Sequence, residues 1–398
     1  MIEAPAGPLH GLRIVDISTV VAGPFAAGLL GDYGAHVVKV EMPGAGDSLR
    51  ALAPPRAARR CGGRSPTATR RVDLRQADGR DLFGKLVAGA DVLVENFRPG
   101  TLDRWGITRA WLQGISPHLT ILRVSGFGQD GPYSDRPGVD RIFESVSGFT
   151  QICGEEDGRP LHLGYPISDA IAGLFGALGV LAALHDLARH PERRGQEIDC
   201  SATEAMLRTL EFLAIEYDQL GVVRTRSGNR SQYAAPGNVY RTQDGKWASI
   251  AASTQSIFVR LCRALALDAL LEDERFATNQ ARVKNFRALD DVIGGAIAGL
   301  SLDELRKTFA EHEVGFSPIY DIADVFDDPQ FAARGAIVRV PDAELGSVRM
   351  QGVVPRFSET PGRVHHAGPT IGQHNDEVYC ALGLSAAEIA GLKARKVI

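Results

Sequence analysis

Two apolar strand-like runs separated by a helix of small residues open the chain, and no other feature narrows its fold as much. Residues 12–17 (LRIVDI) have the character of a short buried strand. Residues 22–33 read as a helix, and residues 36–41 (HVVKVE) repeat the strand pattern. A helix between two neighbouring strands is the crossover that parallel strands need, and it turns right-handed. Further strands are expected at 91–96 (DVLVEN) and 119–125 (LTILRVS), with a turn at Pro99 and Gly100 between them. Strands alternating with helical segments predict an open α/β sheet.

Residues 170–189 read as a long helix carrying Gly173, Gly176 and Gly179 at three-residue spacing. Each interior glycine weakens a helix by about 1 kcal/mol, so this face is expected to pack closely on another backbone. The charge-free apolar run inside it, between Asp169 and His185, falls short of the roughly 20 residues a membrane span needs. A buried helix is the expectation. A brief strand at 196–200 and a second long helix at 201–220 follow. Composition changes at 224–237 (RTRSGNRSQYAAPG), a loop rich in Arg, Ser and Gly that marks a domain boundary. Beyond it the pattern predicts a hairpin (238–240 with 246–251), several helices through His312, and a last helix in which Ser385 and Glu388 have capping-box spacing.

At 398 residues the chain is long enough for two domains, and 44% hydrophobic with 23% charged residues is the profile of a soluble globular protein. A net charge of −4 offers no field for nucleic acid or an anionic membrane. Five scattered cysteines without metal spacing, and an N-terminus without an apolar signal core, point to a reducing, cytoplasmic setting. The ten histidines are dispersed; His365 and His366 would point apart on a strand, and no metal site is expected. GxGxxG, P-loop and GxSxG fingerprints are missing, and residues 44–46 are no more than a weak Gly turn.

Residues 53–71 (APPRAARRCGGRSPTATRR) fit no element. A solvated loop is one reading. The other is a stretch translated out of frame over about 54–70: with suitable codons, 61–69 shifted by one base reads Leu-Trp-Trp-Lys-Val-Thr-Asn-Arg-Asn.

The chemistry is expected at 164–169 (GYPISD), where Asp169 meets the start of the Gly-spaced helix. One role for Asp169 is the N-cap, worth about 1 kcal/mol. The other is chemical. Free N–H groups and the positive dipole end would keep a carboxylate ionised there, and an ionised carboxylate can act as a nucleophile.

Six blocks in order give the chain a resemblance to the class III CoA-transferases, the family of formyl-CoA transferase and carnitine CoA-transferase. They are 11–47 (GLRIVDISTVVAGPFAAGLLGDYGAHVVKVEMPGAGD), 90–107 (ADVLVENFRPGTLDRWGI), 125–140 (SGFGQDGPYSDRPGVD), 164–184 (GYPISDAIAGLFGALGVLAAL), 320–330 (YDIADVFDDPQ) and 372–392 (GQHNDEVYCALGLSAAEIAGL). The resemblance implies a large Rossmann-like α/β domain (1–224, with 331–398 returning to it), a small α+β domain (225–330) and an interlocked homodimer. It places the acylated carboxylate on Asp169 and implies an aspartyl anhydride followed by an aspartyl-CoA thioester. It implies CoA and acyl-CoA as substrates, with no permanently bound cofactor.

The family's CoA contacts fall on Ala22, Asn96, Phe97 and Arg104, with Arg98 and Arg136 as further cations for phosphate. The family's glycine-rich loop maps near 230–237 but retains only Gly237. Asp140 and Glu144, the latter where relatives often carry Gln, are candidates to orient Asp169 or to shape the acceptor pocket. A structural ion pair is the competing role. Two departures stand out: Met42 replaces a basic residue, and Thr67-Ala68-Thr69-Arg70-Arg71 replaces a segment resembling Asn-Arg-Asn-Lys-Arg, which the shifted frame partly restores. Two other functions compete. A 2-methylacyl-CoA racemase pairs the Asp with a His in Gly-His-Asp, where this chain has Gly138-Val139-Asp140, and Val transfers no proton. A non-catalytic CoA-binding homologue is the other.

Overall fold

The computed structural model describes residues 7–44, 46–52, 68–342 and 345–398. Most of the stretch expected to be out of frame, 54–67, lies outside the described residues.

Six short strands form one sheet: β1 (Arg13–Asp16), β2 (His36–Glu41), β3 (Ala68–Arg71), β4 (Val92–Glu95), β5 (Thr120–Ser125) and β6 (Glu197–Ser201). Their order is β3-β2-β1-β4-β5-β6, and every neighbouring pair is parallel. The winding reverses between β1 and β4. In doubly wound sheets, a ligand crevice opens beyond the carboxyl ends of the strands at that point.

Both faces of the sheet are covered, so the strands read as apolar runs and not as alternating ones. Period-2 geometry still sorts the side chains. Val15, Val38, Leu93 and Ile121 enter one core with Phe83 and Leu86. Ile14, Val37, Val92 and Leu122 enter the other with Ala177 and Val180.

The Gly-spaced helix runs Ile167–Arg189, 23 residues. That is longer than its charge-free core and long enough by length and hydropathy to cross a membrane. Its glycine face instead meets the sheet and the Ala22–Asp32 helix. A Cβ added at Gly173 would lie 2.7 Å from the Ala22 carbonyl, and at Gly176 3.0 Å from Leu122. Such close approach explains the glycines. The opposite side of the helix leaves Leu174, Leu178 and Leu181 exposed.

The single helix expected over 201–220 is two, Ala202–Arg208 and Glu211–Leu220. The break falls where the Thr209 hydroxyl donates back to the Met206 carbonyl (2.7 Å) and Leu210 leaves helical geometry (ψ 44°). His365 and His366 lie in no strand.

The chain divides into two compact units. One comprises the residues up to Phe149, His162–Gly221 and Ala332–Ile398; the other comprises Thr150–Leu161 and Val222–Phe331. Residues 150–161 therefore leave the expected 1–224 block. Gly228 N–H donates to the Gly154 carbonyl (2.9 Å), and Arg226 donates to the carbonyls of Gly158 and Gln151. These bonds tie the segment to the loop at the start of the second unit. In the first unit, the tail helices Asn375–Ala381 and Ala386–Ala394 bury Tyr379, Ile389 and Leu392 against the core behind β3, the second helix carrying the expected Ser385–Glu388 capping box.

The second unit is an antiparallel sheet of β7 (Gly237–Arg241), β8 (Trp247–Ala251) and β9 (Phe316–Pro318) with helices that include Gln255–Ala264, Phe286–Ala298 and Leu302–Glu311. Its core holds Tyr240, Ile250, Phe258, Ile293 and Phe309 around a fully buried Arg282. The Arg282 guanidinium donates to Ala235 O (2.8 Å), Phe276 O (3.1 Å), Ser253 O (2.9 Å) and Gln255 Oε1 (2.8 Å), and lies 4.3 Å from the Phe258 ring centre. Arg282→Met would keep the volume but leave three carbonyls without their donor. We expect a loss of about 3 kcal/mol in a urea titration of the full chain.

Candidate active site

Three strands meeting at the crevice end in a buried carboxylate: Asp16 on β1, Glu41 on β2 and Glu95 on β4. Each turns back to hold the loop that follows. Asp16 Oδ1 accepts from Ser18 N (2.8 Å), Glu95 Oε2 from Phe97 N (2.7 Å) and Glu41 Oε1 from Asp47 N (2.9 Å). Burial raises Glu95 to about 7, against the attraction of Arg123.

Lys39, buried on β2, compensates Asp16 and the Asp47 of the following loop, while Arg50 pairs with Glu41 and Arg123 with Glu95. The Lys39 Nζ lies 3.1 Å from Asp16 Oδ2 and 3.3 Å from Asp47 Oδ2, and it donates to the Ser18 carbonyl. Burial alone would lower the Lys39 pKa, but the carboxylates of Asp16 and Asp47 raise it, so the ammonium stays charged.

The loop between β1 and the Ala22–Asp32 helix is clamped from two sides. Asn96 accepts from Thr19 N (2.7 Å) and donates to Thr19 O (2.7 Å). Asp47 Oδ1 accepts from Val20 N (2.9 Å). Val20 sits at φ 66°, a left-handed conformation that a β-branched residue rarely adopts. That strain, at the mouth of the crevice, has no trace in the sequence.

A cavity of about 420 Å³ opens at this point. Its lining includes Val20, Ala22, Asn96, Phe97, Arg98, Arg136, Asp140 and Asp169. The structure thus brings together seven of the residues singled out from the sequence. Three others fall elsewhere. Arg104 is not among the lining residues, and its guanidinium donates to Thr101 Oγ1 (2.8 Å). Glu144 is fully buried and does not reach the cavity. Gly237 opens β7 in the second unit.

Asp169 is the third residue of its helix, and the N-cap position is held by Pro166. The expected N-cap role is therefore incorrect. The cap comes from another helix (Asp140–Val146). Asp140 Oδ1 accepts from Ser168 N (2.9 Å) and Ser168 Oγ (2.7 Å), and lies 3.4 Å from Asp169 N. Asp140 satisfies the free amides and leaves the Asp169 carboxyl for the cavity. The expectation that the helix start would keep Asp169 well ionised also needs correction. Burial, and then the charge of Asp140, push it up to about 7.

Sequence reasoning missed Ser168 and His162. His162 Nδ1 lies 2.9 Å from Glu144 Oε2. A spacing of 18 residues across a loop carries no pattern that could have paired them. Among the described residues, no group of His, Cys, Asp or Glu could hold a metal ion.

A carboxyl that burial raises toward neutrality, in a cleft at the switch point of a parallel sheet, marks a functional site. Comparison with known proteins gives the class: the sequence model of CoA-transferase family III matches residues 9–375, and the chain belongs to that family. The enzyme is a class III CoA-transferase. It is 40% identical over 405 residues to succinyl-CoA–D-citramalate CoA-transferase of Chloroflexus aurantiacus, covering 100% of this chain and 99% of the relative. It is 34% identical to succinate–glutarate CoA-transferase of Agrobacterium fabrum over 94% of this chain and 96% of the relative. Among solved structures, a CAIB/BAIF family protein from Brucella suis superposes with a TM-score of 0.84 at 34% identity, covering 95% of this chain and all of the other.

Proposed function

We propose that the enzyme moves CoA between short dicarboxylic acids through covalent intermediates on Asp169. The observation that carries this reading is the state of the Asp169 carboxyl. It lines the cavity, accepts no hydrogen bond from any described residue, and is raised by burial to about 7. An anionic Asp169 oxygen attacks the thioester carbonyl of the donor. The C–S bond breaks, CoA leaves as thiolate, and a mixed anhydride remains. The thiolate then attacks the Asp169 acyl carbon, expelling the donor carboxylate and leaving an aspartyl-CoA thioester. The acceptor carboxylate attacks that thioester, and the released thiolate takes the acceptor acyl group from the second anhydride. Asp169 returns as carboxylate, and no proton is gained or lost. Amides at the start of the Ala22–Asp32 helix border the same cavity and suit an oxyanion or a phosphate.

The substrate class is inferred from the relatives, whose names join succinyl or succinate to citramalate or glutarate. Arg98 and Arg136 supply the charge for phosphate or for a second carboxylate. CoA enters as substrate, with no permanently bound cofactor. The two units are read as a Rossmann-like large domain and a small α+β domain. Leu174, Leu178, Leu181, Leu207, Phe212, Ile215 and Leu220, exposed on three helices of the first unit, are read as surface covered in an interlocked homodimer. The cytoplasm is the inferred location. Val139, at the rim of the cavity, offers no proton transfer and gives the racemase reading no support.

The test is to incubate the enzyme with succinyl-CoA and quench with hydroxylamine or borohydride. Peptide mass spectrometry should place the modification on Asp169. An unmodified Asp169 peptide from enzyme that turns over would refute the covalent route.

A further inference from the structure

The Asp140–Val146 helix holds more titratable groups than the chemistry at Asp169 uses. Glu144 is fully buried, one turn beyond Asp140 on the same helical face. Its Oε2 faces His162 Nδ1 at 2.9 Å. Its Oε1, also buried, accepts from no donor among the described residues, and the Asp140 carboxyl lies within hydrogen-bonding reach of the Glu144 side chain. A buried carboxylate oxygen without a donor is a costly place for negative charge, whereas a carboxylic acid there could itself donate. Burial raises the Glu144 carboxyl; the His162 hydrogen bond opposes the rise and Asp140 adds to it.

The charged neighbours are few. His162 and Asp140 act on Glu144 directly, and Asp169 stands beyond Ser168 on the Ile167–Arg189 helix. The Ala202–Arg208 helix also packs here. On it, the Glu204 amide donates to Ser201, and Arg208 lies 4.0 Å from Glu211.

We propose that Glu144 is held as the neutral acid, its Oε1 proton donated to Asp140, with His162 Nδ1–H donating to Oε2. Glu144 and His162 are then positioning residues for Asp169. Asp140 then holds Ser168 through Oδ1 and accepts the Glu144 proton on its other oxygen. Asp169 faces one negative charge instead of two, and the amides around it stay in register. When Glu144 loses its proton, Asp140 loses a donor and a second buried charge appears. The inference rests on the reading of Asp169 as the nucleophile.

Infrared difference spectroscopy tests it without using that reading. The Asp169→Asn protein is compared at neutral pH with Asp169→Asn/Glu144→Gln, so that the nucleophile's own carboxyl contributes nothing. A carbonyl stretch of a protonated carboxyl that disappears with Glu144→Gln is the expected result; no such loss would overturn the proposal. In the otherwise native enzyme, Glu144→Ala should lower kcat about tenfold through misplacement of Asp169. Glu144→Gln, shaped like the neutral acid, should restore most of that loss and remove whatever pH dependence of kcat the Glu144 ionisation causes. A Gln variant no better than Ala would also overturn the proposal. Turnover by Asp169→Asn would instead defeat the nucleophile reading and leave the infrared result to judge Glu144.

Discussion

Asp169→Asn should abolish CoA transfer and at the same time make the protein more stable. The amide cannot form either anhydride, so kcat should fall on the order of 10⁴-fold or more. CoA binding should survive, because the other cavity-lining groups are unchanged. The stability gain follows from the titration of the native carboxyl. Its pKa rises from 3.8 to about 7 on folding, mainly through burial and secondarily through Asp140. Below 3.8 both states are protonated and the shift has no effect. As pH rises toward about 7, the unfolded chain sheds its proton first, so stability falls. Above about 7 the full penalty is present, roughly 4 kcal/mol. An Asn pays no such ionisation penalty. We expect it to be more stable by about 2 kcal/mol above neutrality, with the difference vanishing in acid. Thermal melts across pH, beside turnover assays, check both halves. The same titration makes the native rate of the first chemical step rise with pH through about 7. A variant both inactive and less stable at every pH would show that Asp169 is a structural residue.

Much of the scaffold was legible because parallel strands covered on both faces must be apolar runs, and runs such as HVVKVE and LTILRVS stand out. The glycine spacing at 173, 176 and 179 likewise announced a close contact, now seen against Ala22, Leu122 and Ile198. The site was legible as a list and not as an arrangement. Asp169 looked like a cap because the local pattern cannot show that Asp140, 29 residues earlier, already holds its amide. Its pKa was misjudged for the same reason: a helix start speaks of attraction, whereas burial and a second carboxylate are tertiary facts. Nor could a sequence pass see that Arg104 turns to Thr101, or that Thr209 breaks a helix through its own hydroxyl. The strained Val20 and the Glu144–His162 pair depend on groups distant in the chain and match no motif.

Lys39→Met should be the most damaging single change in the support of the site. The side chain is 1% exposed, and Met conserves its volume, so packing alone predicts little effect. The charge decides the outcome. Asp16 and Asp47, each about as buried as Lys39, lose the cation that lies 3.1 and 3.3 Å away. Removing one partner from a buried ion pair typically costs about 3–5 kcal/mol. Asp47 also fixes Val20 in its left-handed conformation through the 2.9 Å bond from Val20 N. Holding such a residue costs about 1–3 kcal/mol, which the loop can release if Asp47 moves. We therefore expect a lower urea midpoint together with a raised KM for acyl-CoA, since Val20 and Ala22 border the cavity. The pH dependence gives the cause away. Burial already holds the Asp16 carboxyl above its ordinary value against the attraction of Lys39; without that cation it rises further, so the variant loses stability as pH rises and recovers some of it in mild acid. Adding Asp47→Asn to Lys39→Met removes one stranded charge and should recover part of the loss at neutral pH. If the double variant is no more stable than Lys39→Met, packing and not charge governs this corner of the sheet.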